Sequence, residues 1–235
     1  AYPSPVSPSR EERDTHDVSH SPFRSWCRAC VAGFGRSDMH RSGPTHDQKR
    51  VPTIALDYCY LSESAIDERA SPILVVKDTE LLWIDGEVLP SKGTQHPYNE
   101  VILVECLVAR GFTHYILKSD NEPALTSLVE SWARLRAVEG GGKMIIERSP
   151  VHSSQSNGVV DCGIQAVQGM VRTLRSAVEE RWGVRLEVDH AVWPWLVEYA
   201  GWLLTRVEVG VDGKTAYERS RGKEAKLPGW SLEKG

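Results

Sequence analysis

From Val51 onward the apolar residues follow two rhythms: a two-residue alternation in short runs, and three- and four-residue steps in longer ones. The run VPTIALDYCYL alternates, with Ile54, Leu56, Tyr58 and Tyr60 on one side and Thr53, Ala55, Asp57 and Cys59 on the other. Such alternation predicts a strand, here with a carboxylate in its middle. SPILVVKDTE and ELLWIDGEVL predict two more strands joined by a short polar turn, so the fold opens on a meander of three. Residues 97–110 begin at Pro97, carry apolar positions at helical spacing and stop at Gly111, the punctuation of a helix. HYILKS predicts a short buried strand that runs into Asp120, and NEPALTSLVESWARLRAV a helix with Pro123 in its first turn. KMIIE, after the glycines at 140–142, predicts a fifth strand.

Residues 149–158 are polar. They lead into a long helix over about 159–181, with Val167, Met170, Val171, Leu174 and Val178 on one stripe. A last helix near 192–206 is apolar enough to be mostly buried. This order predicts an α/β fold, a mixed five-stranded sheet flanked by helices. Upstream, residues 1–15 are rich in Pro, Ser and charge and read as a disordered lead-in. Residues 16–40 are dense in His, Cys and Arg, residues 41–50 read as a polar linker, the core spans 51–220, and 221–235 form a tail.

Composition narrows the class. At 235 residues, with 40% hydrophobic and 26% charged, the chain suits one good core and a small appendage. It begins at Ala1, which suggests a piece of something longer. The longest apolar runs, such as 101–108, are too short to span a bilayer and contain Glu105, so no membrane partner is expected. The N-terminus has no apolar stretch of the signal-peptide kind. Five cysteines are too few and uneven for a disulfide scaffold, which favours reduced thiols or metal ligands. A net charge of -4 counts against tight DNA binding through bulk charge and leaves only a local basic face.

Three acidic residues stand where packing explains a carboxylate poorly. Asp57 sits mid-strand between Leu56 and Tyr58, Asp120 ends an apolar strand, and Asp161 falls in the first turn of the long helix. Asp is disfavoured in strands, and burying an unpaired carboxylate is costly. A hard cation offsets that cost, because Mg²⁺ or Mn²⁺ takes oxygen ligands and needs few from the protein. Two such ions would suit an in-line phosphoryl displacement, one at the attacking oxygen and one at the leaving oxygen. Plainer readings stay open: Asp161 as a residue favoured by the helix dipole, and Asp120 as the N-cap of the next helix.

Beside the apolar stripe, Asp161, Gln165, Gln168, Arg172 and Arg175 share one helix face. Gln and Arg beside a metal site suit phosphate and sugar contacts, and a solvated polar face is the plain alternative. Lys118 is a further phosphate contact or an exposed lysine. His16 and His20, with Cys27 and Cys30, have spacings that suit tetrahedral Zn²⁺. A segment without a core would draw its folding energy from that metal. His40 is a competing ligand, and the two histidines also read as unstructured polar residues. Cys59 and Cys106 lie in apolar patterns, as small core residues.

The runs LDYCYL, YILKSDNEPAL, SPVHSSQSNGVVD and GIQAVQGMVRTLRSAVEERW resemble the integrase core of retroviral and long-terminal-repeat retrotransposon elements, of the copia-like kind. DGKTAYERSRGK resembles the segment that ends those cores, and PFRSWCRACVAGFGRSDMH the end of the HHCC zinc finger before them. The resemblance covers roughly residues 50–220 and a second patch near 16–40. It implies an RNase H-like core whose acids fall on Asp57, Asp120 and Asp161, with Ser156, Asn157 and Gly158 matching the stretch before the third. It also implies Mg²⁺ or Mn²⁺ on those acids and Zn²⁺ on His16, His20, Cys27 and Cys30. Lys118, Ser156, Asn157, Gln165, Gln168, Arg172 and Arg175 would then meet DNA.

The implied activity is DNA integration by a polynucleotidyl transferase, through 3′-end processing and strand transfer. Its partners would be element ends, target DNA and further copies of the chain, in the nucleus. The sequence departs from the family in a longer Asp120–Asp161 interval and in Asp161, where the family has Glu. One methylene is a large loss where metal ligands tolerate shifts of about 0.2 Å. The alternative is therefore a catalytically inactive, nucleic-acid-binding relic. A third reading is a nuclease cutting RNA–DNA hybrids, which would need no His/Cys finger.

Overall fold

The computed structural model describes residues 7–34, 51–61, 70–138, 142–148, 158–187 and 189–227. Ser156, Asn157, His40 and the linker at 41–50 lie outside the described residues. Strands β1 (Thr53–Cys59), β2 (Ile73–Asp78) and β3 (Ile84–Val88) form the expected antiparallel meander. Strands β4 (Tyr115–Ser119) and β5 (Met144–Arg148) add parallel to β1, giving the order β3-β2-β1-β4-β5. This is the mixed, RNase H-like sheet that the sequence pattern and the resemblance imply.

The alternation in β1 sorts the two faces. Ile54, Leu56 and Tyr58 pack with Leu74, Val76 and Leu117 beneath α3 (Pro97–Ala109) and α4 (Pro123–Val138), where Leu103, Leu107, Leu128 and Trp132 meet them. Ala55 and Cys59 face the other way, with Val75 and Ile84, against α5 (Gly158–Trp182) and α6 (Trp193–Val207). Each fully buried Leu or Val contributes roughly 1.5–3 kcal/mol, so a slip of one residue in β1 would expose both cores at once. Cys59 and Cys106 are buried core residues, as their apolar contexts imply. A short α7 (Ala216–Arg221) follows, opened by a capping box between Thr215 and Glu218.

The lead-in is a correction. Ser9 accepts from the Glu12 amide while Glu12 reaches back to the Ser9 amide, a capping box that starts α1 (Arg10–Ser19). Residues 10–15 are therefore helical rather than disordered, because the caps satisfy the first-turn amides. A second helix, α2 (Arg28–Phe34), packs against α5.

One buried charge holds the meander to α3. Arg110, at the C-cap of α3, donates Nε to Asp78 at 3.2 Å and Nη1 to Asp85 at 2.7 Å. It also bonds the carbonyls of Val76, Trp83 and Cys106. The other Asp78 oxygen accepts from the amides of Glu80, Leu81 and Leu82, so one carboxylate caps the β2–β3 turn and anchors the arginine.

Candidate functional site

Parallel pairing brings the first two acids together. Thr53 stands opposite Ile116, Ile54 opposite Leu117, and Ala55 opposite Lys118. Continued by two residues, that register sets Asp120 beside Asp57. The carboxyl ends of parallel strands are where open α/β sheets bind ligands. Asp57 points to the α5 side of the sheet, and its Oδ1 accepts from the Tyr58 amide at 2.7 Å. Asp120 Oδ1 accepts from the Glu122 amide at 2.9 Å, so the residue also organises the turn that precedes α4.

The third member is Glu122. Asp57, Asp120 and Glu122 each place a carboxylate oxygen within 4.8 Å of the others. Periodicity alone does not single out Glu122, which lies two residues past Asp120, just before α4. The turn closed by the Glu122 amide on Asp120 Oδ1 brings it into the group. Asp161 lies in the first turn of α5, outside that close group. It is still near enough to raise the Asp57 carboxyl. An aspartate reaches less far than the glutamate expected there, and α5 is held in place by Gly163 packed on Lys77 and Ile84. Burial raises the Asp57 carboxyl to about 6, with the negative charges of Asp120, Glu122 and Asp161 acting in the same sense. Burial also raises Asp161. Three hard oxygen donors gathered within 4.8 Å match the donor set of Mg²⁺ or Mn²⁺.

The residues read as a DNA face are variously placed. Gln165 is exposed, and Gln168 donates to the Tyr60 carbonyl at 2.8 Å. Arg172 donates to the Gly33 carbonyl at 3.2 Å. Arg175 pairs with Glu179 at 2.9 Å, bonds the Leu186 carbonyl at 3.0 Å and lies over the Trp193 ring. Lys118 pairs across the sheet with Glu147 at 2.7 Å.

The four His/Cys residues come together in the other unit. His16 and His20 are supplied by α1 and its C-cap, Cys27 and Cys30 by the start of α2. One ligand atom from each lies within 4.8 Å of the rest, and all four residues are buried. His16 Nε2 is 3.3 Å from Cys30 Sγ, and His20 Nδ1 is 3.4 Å from Cys27 Sγ. Burial lowers both imidazoles, which keeps them neutral and able to donate a lone pair. It pushes the Cys30 thiol up to about 12, a cost that a coordinated cation would remove. Two thiols and two imidazoles in so small a pocket fit the donor set of tetrahedral Zn²⁺.

No family model matches the sequence, and no curated protein matches it. Among solved structures, the chain is similar to a chain of the simian T-cell lymphotropic virus intasome in complex with PP2A regulatory subunit B56 gamma. That match has 14% identity and a TM-score of 0.53, over 86% of this chain and 66% of that one. The chain thus spans just under two thirds of that neighbour's length. It is also similar to the HTLV-2 integrase catalytic core domain in complex with magnesium. The trimeric form matches at 13% identity over 72% of this chain and 95% of that one, with a TM-score of 0.47. The dimeric form matches at 13% identity over 72% and 94%, with a TM-score of 0.46. At 14% identity the likeness to the intasome chain is one of fold alone.

Proposed function

We propose that the chain is the catalytic core of a copia-like retrotransposon integrase, a polynucleotidyl transferase that processes DNA 3′ ends and joins them to target DNA. A zinc-holding unit over 16–40, extended upstream by α1, precedes a core over 51–220. The observation that carries this reading is the meeting of Asp57, Asp120 and Glu122 oxygens within 4.8 Å at the ends of neighbouring parallel strands.

These residues would hold Mg²⁺ or Mn²⁺, with Asp161 nearby in the first turn of α5. Bound there, divalent cations supply Lewis acidity at a phosphodiester and activate a water or a 3′-hydroxyl. Asp57 and Asp120, held by neighbouring parallel strands, would fix the position of the reacting phosphate. Glu122 closes the group from the α4 side. Gln165, exposed one turn along α5 from Asp161, is set to orient the sugar-phosphate backbone, and Ser156 and Asn157 are proposed as further DNA contacts. Arg172, Arg175 and Lys118 would reach DNA only by leaving their present partners.

DNA and further copies of this chain are the proposed partners, and the nucleus the proposed location. Similarity to a chain from a viral intasome supports that choice. So do the exposed Trp195 on α6 and the exposed Tyr98, Val101 and Val108 on α3, which suit a subunit contact. No helix among the described residues is long and apolar enough to cross a membrane.

A second reading, a relic that binds nucleic acid without turnover, is favoured by one observation: Asp161 stands outside the close group. Strand transfer and 3′-end processing on oligonucleotides with Mg²⁺ or Mn²⁺ separate the two. The integrase reading expects turnover in the native chain that Asp57→Asn abolishes. Turnover only in Asp161→Glu, or in no form, favours the relic.

A further inference from the structure

The carboxylate group carries its own cation. Lys92 Nζ lies 2.6 Å from Glu122 Oε1, with both side chains about 30% exposed (30% and 29%). The same nitrogen stands 5.1 Å from the centre of the Tyr58 ring and 5.4 Å from that of Tyr60. Lys92 sits in the segment between β3 and α3, and that segment is fixed on several sides. Tyr58 Oη accepts from the Gly93 amide at 3.0 Å, and Asn99 Nδ2 donates to the carbonyls of Ser91 and Gly93 at 2.8 Å each. Gly93 takes φ +67, and a β-carbon there would lie 2.9 Å from Ser127 Oγ and 3.1 Å from the Ala124 carbonyl. Backbone at Lys92 is thus locked against the start of α4, while its four-carbon stem carries the rotatable bonds that let the ammonium change partner.

We propose that Lys92 is the resident counter-cation of the carboxylate group. It neutralises Glu122 until a divalent ion takes that carboxylate, and its ammonium then passes to a nucleic-acid phosphate. The inference rests on reading the group as a metal-dependent nucleic-acid site. Ammonium and divalent ion compete for the same Glu122 oxygens. A single positive charge competing with a doubly charged ion for one carboxylate, in a partly solvated site, opposes its binding on the order of tenfold. Once displaced, the ammonium stays within reach of the site because its backbone cannot move away. That is where a phosphodiester drawn to the cation would lie.

The test is calorimetric titration of the whole chain with Mn²⁺, comparing the native protein with Lys92→Met, Lys92→Arg, Glu122→Gln, Lys92→Met with Glu122→Gln, and Asp57→Asn. Lys92→Met is expected to bind Mn²⁺ about tenfold more tightly. Lys92→Arg should behave as the native chain, and the gain from Lys92→Met should largely vanish in the Glu122→Gln background. Equal Mn²⁺ affinity in the native and Lys92→Met chains, with Asp57→Asn still weaker, overturns the counter-cation and leaves the metal site standing. Mn²⁺ binding that is absent, or indifferent to Asp57→Asn, overturns both. The phosphate step is read from the salt dependence of binding to a DNA duplex. Lys92→Met should shrink the log–log slope by about 0.9 when Mn²⁺ is present and leave it unchanged when Mn²⁺ is absent. A slope that is unaffected, or affected equally in both conditions, overturns the hand-over.

Discussion

A β-carbon on Gly33 would lie 2.0 Å from Thr173 Oγ1, so α2 is seated on α5 with no room between backbone and side chain. Arg172 closes the contact by donating to the Gly33 carbonyl, and Ala177 packs against the buried Cys27, Ala29 and Cys30. The Arg28–Glu180 pair at 3.9 Å is exposed and adds little. The helix that receives the His/Cys unit is the one whose first turn bears Asp161. The unit and the core therefore share a structural element.

Gly33→Val forces that contact apart. Overpacking of this kind costs about 1–3 kcal/mol, and the thermal midpoint of the whole chain should fall with it. A native midpoint in the variant would mean that the α2–α5 contact contributes no stability.

Zinc removal should act through the same contact. Where His16, His20, Cys27 and Cys30 hold the proposed Zn²⁺, a chelator is expected to lower helix content by circular dichroism and to lower the unfolding midpoint of the core. The metal-free chain should also be acid-sensitive. Burial depresses His16 and His20 below their unfolded values, so the unfolded chain takes up protons first as pH falls. Their contribution is full above the ordinary imidazole value of about 6.5 and is lost progressively as pH falls toward the folded values. Urea midpoints at pH 7.5 and 5.5, with and without His16→Ala, measure it.

Asp57→Asn should stabilise the metal-free protein near pH 8 while removing the proposed activity. Folding raises this carboxyl from 3.8 to about 6, so its contribution is full below 3.8 and is lost as pH rises through 6. A displacement of that size corresponds to roughly 3 kcal/mol, and solvent screening at a half-buried site leaves about 1–2 kcal/mol. Asn keeps the acceptor for the Tyr58 amide. Saturating Mn²⁺ should reverse the order, because the native chain gains more binding free energy than the variant. Denaturant melts in the two conditions check both signs.

Much of this fold is written in periodicity. The alternation across 53–60 assigns Ile54, Leu56 and Tyr58 to one core and Asp57 to the opposite face, because a strand leaves no other choice. Helices α3 to α6 follow from apolar spacing and from Pro97 and Pro123. The remainder lacks that signal. Helix α1 is almost wholly polar, and only Ser9 and Glu12, spaced as a capping box, mark it. Glu122 joins the site through a turn, which has no period to read. Arg110 looks like the charged end of an amphipathic helix, and its burial depends on Asp78 and Asp85 from another part of the chain.

Arg110→Met tests that last relationship. Both Asp78 and Arg110 are fully enclosed, with side-chain exposures of 0%. Removing one partner leaves a buried carboxylate uncompensated, at a cost of about 3–5 kcal/mol. Equilibrium urea unfolding should show the loss, and Arg110→Met combined with Asp78→Asn should recover part of it.

The central claim is that Asp57, Asp120 and Glu122 form one cation site, and anomalous diffraction from crystals soaked in Mn²⁺ tests it most directly. The account predicts an anomalous peak bonded to oxygens of Asp57 and Asp120, with Glu122 turned toward it, and no such peak in Asp57→Asn crystals. Density that shows these carboxylates without a manganese peak at saturating Mn²⁺, or a peak bound only elsewhere, would contradict it.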